Sequence, residues 1–197
     1  MIALLDYGAG NVGSVLKAVR YLGYPAEAVS DPQQLLEAEK IILPGQGHFG
    51  NMLQALAAKG SLEALRQTVA VGRPYLGICL GLQALYEGSD EAPATPGLGV
   101  IPGRVRRFEG IFKVPHIGWN QLAIRPDTRM FRGVASDSFV YYCHSYYAPV
   151  TDVTAATTEY GCAFAAAVES GPIRGVQFHP EKSGEVGLQV LKNFLES

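Results

Sequence analysis

The sequence predicts an α/β fold: a largely parallel central sheet flanked by helices, with additional antiparallel or mixed strands. Three observations carry this reading. Apolar strand-like runs alternate with helical patterns over the first ninety or so residues, as in βα repeats. After residue 97 the texture changes to short extended pieces bounded by Gly, Pro, Asp or Ser. The chain then closes on a stretch with a helical apolar stripe.

Taken in order, "IALLD" (2–6) reads as a buried strand, and Val12, Val15, Leu16, Val19 and Leu22 recur at helical spacing until Gly23 offers a stop. "PAEAV" and "KIIL" read as two further strands, "NMLQALAAK" and "SLEALRQTVA" as helices, and "PYLGI" as a fourth strand that runs into Cys79. The helix after Cys79 is expected over "LGLQALYE". The extended pieces are "GVIPGRVRRF", "KVPHIGWN", "SFVYYCHSYY", "VTAATT", "FAAAVES" and "IRGVQF". In "GEVGLQVLKNFLE", Leu188, Leu191, Phe194 and Leu195 form the closing stripe. There is no internal repeat, and neither a linker nor a charge block divides the 197 residues, so one domain over 1–197 is expected.

Composition narrows the function classes. Hydrophobic residues make up 48% and charged residues 17%, which fits a packed globular protein rather than a disordered one. A formal charge of −2, with basic residues scattered apart from "RVRRF" (104–108), argues against nucleic acid as a partner. The N-terminus lacks a basic lead and no run is long enough to span a bilayer, so no membrane association and a cytoplasmic location are expected. Cys79, Cys143 and Cys162 form no CxxC pair and are odd in number, so reduced thiols are expected, with Cys143 and Cys162 buried.

Two motifs compete for a function. "GAGNVG" (8–13) fits G-x-G-x-x-G, follows a strand, opens a helix and precedes Asp31, as a dinucleotide site would. The same glycines equally serve a tight turn with no phosphate present, and a complete dehydrogenase needs a second mononucleotide half. In "GICLG" (77–81), Cys79 occupies the serine position of G-x-S-x-G, where a strand turns sharply into a helix and exposes a nucleophile. A thiol there would meet backbone N–H groups suited to thiolate and to an oxyanion. The alternative is a small buried hydrophobe.

A nucleophilic thiol requires a base, and His179 in "GVQFHPEKS" ends an apolar strand with Glu181 two residues on. In extended chain that spacing puts both side chains on one face, so Glu181 would fix the tautomer of an imidazole that takes the thiol proton. A solvated His-Pro-Glu turn remains the alternative. His48, His116 and His144 lie far apart and lack close ligand spacing, so packing, turn or interface roles are expected and no metal. "LPGQGHFGNM" (43–52) adds a glycine-rich turn after a strand, suited to aiming a backbone N–H at a small ligand.

Together, "PGQGHF", "PYLGICLGLQ" and "GVQFHPEKS" resemble the class I (triad) glutamine amidotransferases, in which these segments appear in this order. "DYGAGN" (6–11), "KVPHIGWN" (113–120), "YYCHSYY" (141–147) and "AAVES" (166–170) are similar to the branch that supplies ammonia to a (β/α)8 cyclase in histidine biosynthesis. "KVPHIGWN" and "YYCHSYY" favour that branch over the pyridoxal phosphate synthase, anthranilate and aminodeoxychorismate types, and the intact triad argues against a non-enzymatic docking module. The resemblance implies a glutaminase acting on L-glutamine without a cofactor, in a 1:1 heterodimer with the cyclase. It implies Cys79 as nucleophile, His179 as acid/base and Glu181 as orienting carboxylate. The backbones of Gly47 and Leu80 would form the oxyanion hole, and Gln83, Glu91, Ser145 and Tyr146 would hold glutamine. Asn11, Trp119, Tyr141 and Lys182 would face the partner, which makes "GAGNVG" a docking turn.

Overall fold

The computed structural model describes residues 1–197. β1 (Ile2–Leu5) is buried along its whole length: parallel strands β2 (Ala26–Val29) and β3 (Lys40–Gly45) pair with its two edges, and a packed core covers each of its faces. Between β1 and β2, α1 (Val12–Tyr21) turns Val12, Val15 and Val19 inward, and Gly23 ends it at φ +88°. The sequence pattern did not indicate α2 (Pro32–Glu37). Asp31 caps it by accepting from the Gln33 N–H at 2.9 Å, and Pro32 stands at the first helical position. α3 (Phe49–Ala58) and α4 (Ser61–Ala70) follow β3 and lead into β4 (Tyr75–Cys79), which pairs parallel with β3.

After β4 come α5 (Leu80–Gln83), β5 (Tyr86–Ser89), β6 (Ile101–Arg107), β7 (His116–Gln121), β8 (Ala123–Ile124), β9 (Phe139–His144), β10 (Tyr146–Tyr147), β11 (Thr154–Tyr160), β12 (Cys162–Ser170), β13 (Ile173–Val176) and α6 (Gly184–Leu195). The main sheet has the order β2-β1-β3-β4-β13-β12-β11-β8; it is parallel as far as β13 and antiparallel beyond it. Alternation on the buried strands feeds two cores. Leu4, Ile42 and Leu76 face α1 and α6, whereas Ala3, Leu5, Ile41 and Leu43 face α3 and α4. β10, β6 and β5 make a small mixed sheet, and β7 and β9 an antiparallel pair.

Two expectations are corrected. The helix after Cys79 stops at four residues because its next carbonyls are taken from elsewhere: the Leu98 N–H bonds Ala84 O at 2.8 Å, and the Val100 N–H bonds Leu85 O at 2.8 Å. The chain therefore leaves as β5. Cys143 is exposed and Cys162 half-buried rather than buried. On β9 the alternation sends Val140, Tyr142 and His144 inward and Cys143 outward.

Candidate active site

Cys79 ends β4 between two parallel neighbours, in register with Gly45 of β3, while Ile78 lies opposite Val176 of β13. Its backbone adopts φ 56°, ψ −105°, a left-handed strain that a non-glycine residue holds only when its surroundings dictate it. Those surroundings are glycines. A Cβ on Gly77 would lie 2.3 Å from Gly81 O, and one on Gly81 would lie 1.9 Å from Leu43 O. The Tyr75 hydroxyl, fully buried, closes the elbow by donating to Gly81 O at 2.7 Å.

One strand over, the chain beyond β13 carries His179, whose N–H bonds Tyr141 O at 2.9 Å. Residues Pro180–Lys182 form a 3-10 turn rather than extended chain, and this turn brings Glu181 Oε1 to 3.0 Å from His179 Nδ1. Both side chains are almost wholly buried. Burial is the largest single influence on His179 and pushes its pKa down. Hydrogen bonds and charges from Cys79 and then Glu181 together outweigh it and raise the ring to about 10. Cys79, a hundred residues away in sequence, thus meets His179 and Glu181 in one constellation.

Beside them lies a cleft of about 390 Å³ whose walls include Gly47, Leu80, Gln83, Glu91, Ser145 and Tyr146. Gly47 sits at φ +95° in the turn after β3. The Tyr7 hydroxyl accepts from the Gln46 N–H at 3.3 Å and lies 3.5 Å from Gln46 O. One oxygen of Glu91 accepts from the Phe49 N–H at 2.8 Å, at the start of α3. Gln83 Nε2 donates to Tyr146 O at 2.9 Å and to Gln177 Oε1 at 3.0 Å, and Gln177 Nε2 donates to Cys79 Sγ at 3.5 Å. Gln177 was not singled out from the sequence. Its signal is the parallel register, which, carried one residue past Val176, sets Gln177 beside Cys79.

The remaining histidines find structural partners. His48 caps α3, its Nδ1 accepting from the Gly50 N–H at 3.1 Å. His116 Nδ1 lies 3.0 Å from His144 Nε2, and His144 Nδ1 lies 2.8 Å from Tyr146 O. A carbonyl only accepts, so His144 carries its proton on Nδ1, and His116 must donate to His144 Nε2. Burial lowers both pKa values, to about 4 for His116 and about 3 for His144, consistent with a neutral pair.

The four residues read as partner-facing are joined to one another or to the triad by contacts. The Trp119 and Tyr141 rings meet edge to face at 6.1 Å on paired positions of β7 and β9, and Lys182 Nζ lies 5.8 Å from the Tyr141 ring centroid. Trp119 is 55% exposed, and its neighbours Ile117 and Phe139 extend an apolar face. Asn11 Nδ2 donates to Glu181 Oε1 at 3.4 Å. The glycine motif of this region lacks the packing a dinucleotide cradle uses: a Cβ on Gly13 would meet nothing within 4 Å, and Asp31 is engaged as the α2 cap. No helix is long and apolar enough to cross a membrane.

The family model "Glutamine amidotransferase class-I" matches residues 3–197. The "Imidazole glycerol phosphate synthase subunit HisH" of Methanothermobacter thermautotrophicus is 50% identical over 197 residues, covering 100% of this chain and 98% of the relative. The HisH subunit of Syntrophotalea carbinolica is 46% identical over 203 residues and covers 98% of each chain. Among solved structures, PurLQS from Thermotoga maritima superposes with a TM-score of 0.75 at 20% identity, covering 99% of this chain and 97% of that one, a likeness of fold. The chain belongs to the class I glutamine amidotransferase family, within its HisH group.

Proposed function

We propose that residues 1–197 act as one glutaminase domain, the subunit of imidazole glycerol phosphate synthase that hydrolyses L-glutamine and passes the ammonia to the (β/α)8 cyclase subunit HisF. The pair is a 1:1 cytoplasmic heterodimer in histidine biosynthesis. The observation that carries the reading is Cys79 held in left-handed strain at the end of β4, against the buried His179–Glu181 pair.

In this mechanism His179 takes the thiol proton while Glu181 orients its ring, and Cys79 Sγ attacks the carboxamide carbon of glutamine. The resulting oxyanion is held by the backbone N–H groups of Gly47 and Leu80, which border the cleft. His179 then protonates the departing ammonia, leaving a glutamyl thioester. Water attacks that thioester, giving up a proton to His179, and glutamate leaves as the sulfur is restored. Glu91 suits the substrate's α-ammonium, and Gln83, Ser145 and Tyr146 complete the binding wall. A rotation of the Gln46–Gly47 peptide would withdraw one oxyanion donor and idle the enzyme, a loss on the order of 10²- to 10³-fold in comparable enzymes. The exposed Trp119–Tyr141–Lys182 face beside the triad supports docking of the cyclase there.

The test is glutamate release by this chain alone, then with HisF and its nucleotide ligand, alongside Cys79→Ala. Strong stimulation by the partner is expected, with Cys79→Ala silent on glutamine while synthesis from added ammonium salts persists. Equal activity under all conditions would keep the triad and remove the partner. Activity in Cys79→Ala would remove the triad.

A further inference from the structure

We infer that Gln177 is a further catalytic residue, whose amide Nε2 donates a hydrogen bond to the sulfur of Cys79 and favours the charged form that attacks glutamine. The inference rests on Cys79 being the nucleophile. Gln177 is fully buried, and its amide has two partners: Gln83 on one side at 3.0 Å and Cys79 Sγ on the other at 3.5 Å.

Its orientation follows from chemistry. Tyr146 O is a carbonyl and can only accept, so the Gln83 group 2.9 Å from it must be the NH2. That NH2 also faces Gln177, so Gln177 must present its oxygen there, which turns its own NH2 toward sulfur. The chain of donors runs one way and ends on Sγ. A buried N–H aimed at sulfur stabilises a negative charge more than a neutral thiol. The His179 imidazolium and the Gln177 amide thus approach the same atom from different groups of the β13 extension. The peptide N–H of Gln177 bonds Ala166 O at 2.8 Å, so changing the side chain leaves the strand anchored.

The experiment compares wild type, Gln177→Met and Gln177→Glu, with Cys79→Ala in parallel, all as the full chain bound to the cyclase subunit. The rate of Cys79 carbamidomethylation by iodoacetamide is followed by peptide mass, so that Cys143 and Cys162 do not contribute. Iodoacetamide needs no glutamine pocket. Both variants should react about 10- to 100-fold more slowly, the range for losing a hydrogen bond to a charged group. Their kcat for glutamine should fall while KM stays within about twofold of wild type. Folding is checked by thermal melting and co-elution with the cyclase. Wild-type alkylation rates in folded variants, or a defect confined to KM, would overturn the assignment. A measurement on unsubstituted protein stands beside these: the Gln177 side-chain amide resonance should move when Cys79 is alkylated, and an unmoved resonance would overturn it too. Should Cys79→Ala still release glutamate, the nucleophile reading itself fails. Should it be silent while both Gln177 variants alkylate normally, only the role of Gln177 fails.

Discussion

Replacing Gly81 by alanine tests the elbow with the least chemistry. The added Cβ would lie 1.9 Å from Leu43 O and 3.0 Å from Leu43 C. Bringing the first contact out to even 3.0 Å, the limit real Cβ atoms respect, requires a movement of about 1.1 Å (3.0 − 1.9). Neither side can yield cheaply. Leu43 is paired with Gly77 in the parallel ladder, and Gly81 O is held by the Tyr75 hydroxyl. Overpacking of this kind costs about 3 kcal/mol or more. For a chain of this size that is a fall in Tm of about 6–12 °C. The displacement falls on α5, whose first residue is Leu80, so glutamine hydrolysis should drop about 100-fold even well below the melting temperature. Gly13→Ala is the control: it lies in α1 with open space around the new Cβ, and should raise Tm by about 2–4 °C through helix propensity. Differential scanning calorimetry with a glutamate-release assay reads both. A Gly81→Ala protein melting within about 2 °C of wild type with ordinary activity would refute the argument from steric closure.

Two further outcomes follow from the same geometry. Stability should fall at both ends of the pH range. His116 and His144 have folded pKa values lowered to about 4 and about 3 from 6.5, so their contribution is complete above 6.5 and is lost as pH falls through those values. His179, raised to about 10, contributes fully below 6.5 and loses that contribution as pH rises through about 10. Urea unfolding across pH should show His116→Gln flattening the acid limb and His179→Gln the alkaline one; unchanged limbs would contradict the buried pairs. Trp119→Ala, on a 55% exposed side chain, should leave Tm nearly unchanged while weakening cyclase binding by about 2 kcal/mol or more, measurable by calorimetric titration. Undiminished affinity would place the interface elsewhere.

Much of the parallel half was legible because period and punctuation agree there: β1, α1, β3, α3, α4 and β4 all appear where apolar spacing and Gly or Pro set them. Cys79, His179 and Glu181 were legible as types in suggestive settings, but their meeting is a property of β4 and β13 lying side by side, which no local pattern encodes. The four-residue α5 escaped because "LGLQALYE" has ordinary helical propensity, and only distant N–H groups of residues 98 and 100 take its carbonyls. α2 escaped because six residues are too few to show a period, although Asp31-Pro32 marks its start. Gln177 was hidden by lying inside an apolar strand run, where a lone amide carries no spacing signal.

The row joining β4 to β13 also determines where the molecule tolerates change. Cys79 and His179 are separated by a hundred residues of chain, but one ends β4 and the other follows three residues after β13, its neighbour in fixed parallel register. The intervening chain includes the loop 125–137, which contributes nothing to that row or to the cleft walls. Length variation there alters the outline of the protein while leaving the site's internal distances untouched. A single residue gained or lost within Ile173–Val176 does the reverse: it exchanges the inward and outward faces, presenting Phe178 or Val176 to the sulfur where Gln177 now stands. The site is thus inherited from sheet alignment, and relatives can diverge widely in their loops and remain the same machine at the centre.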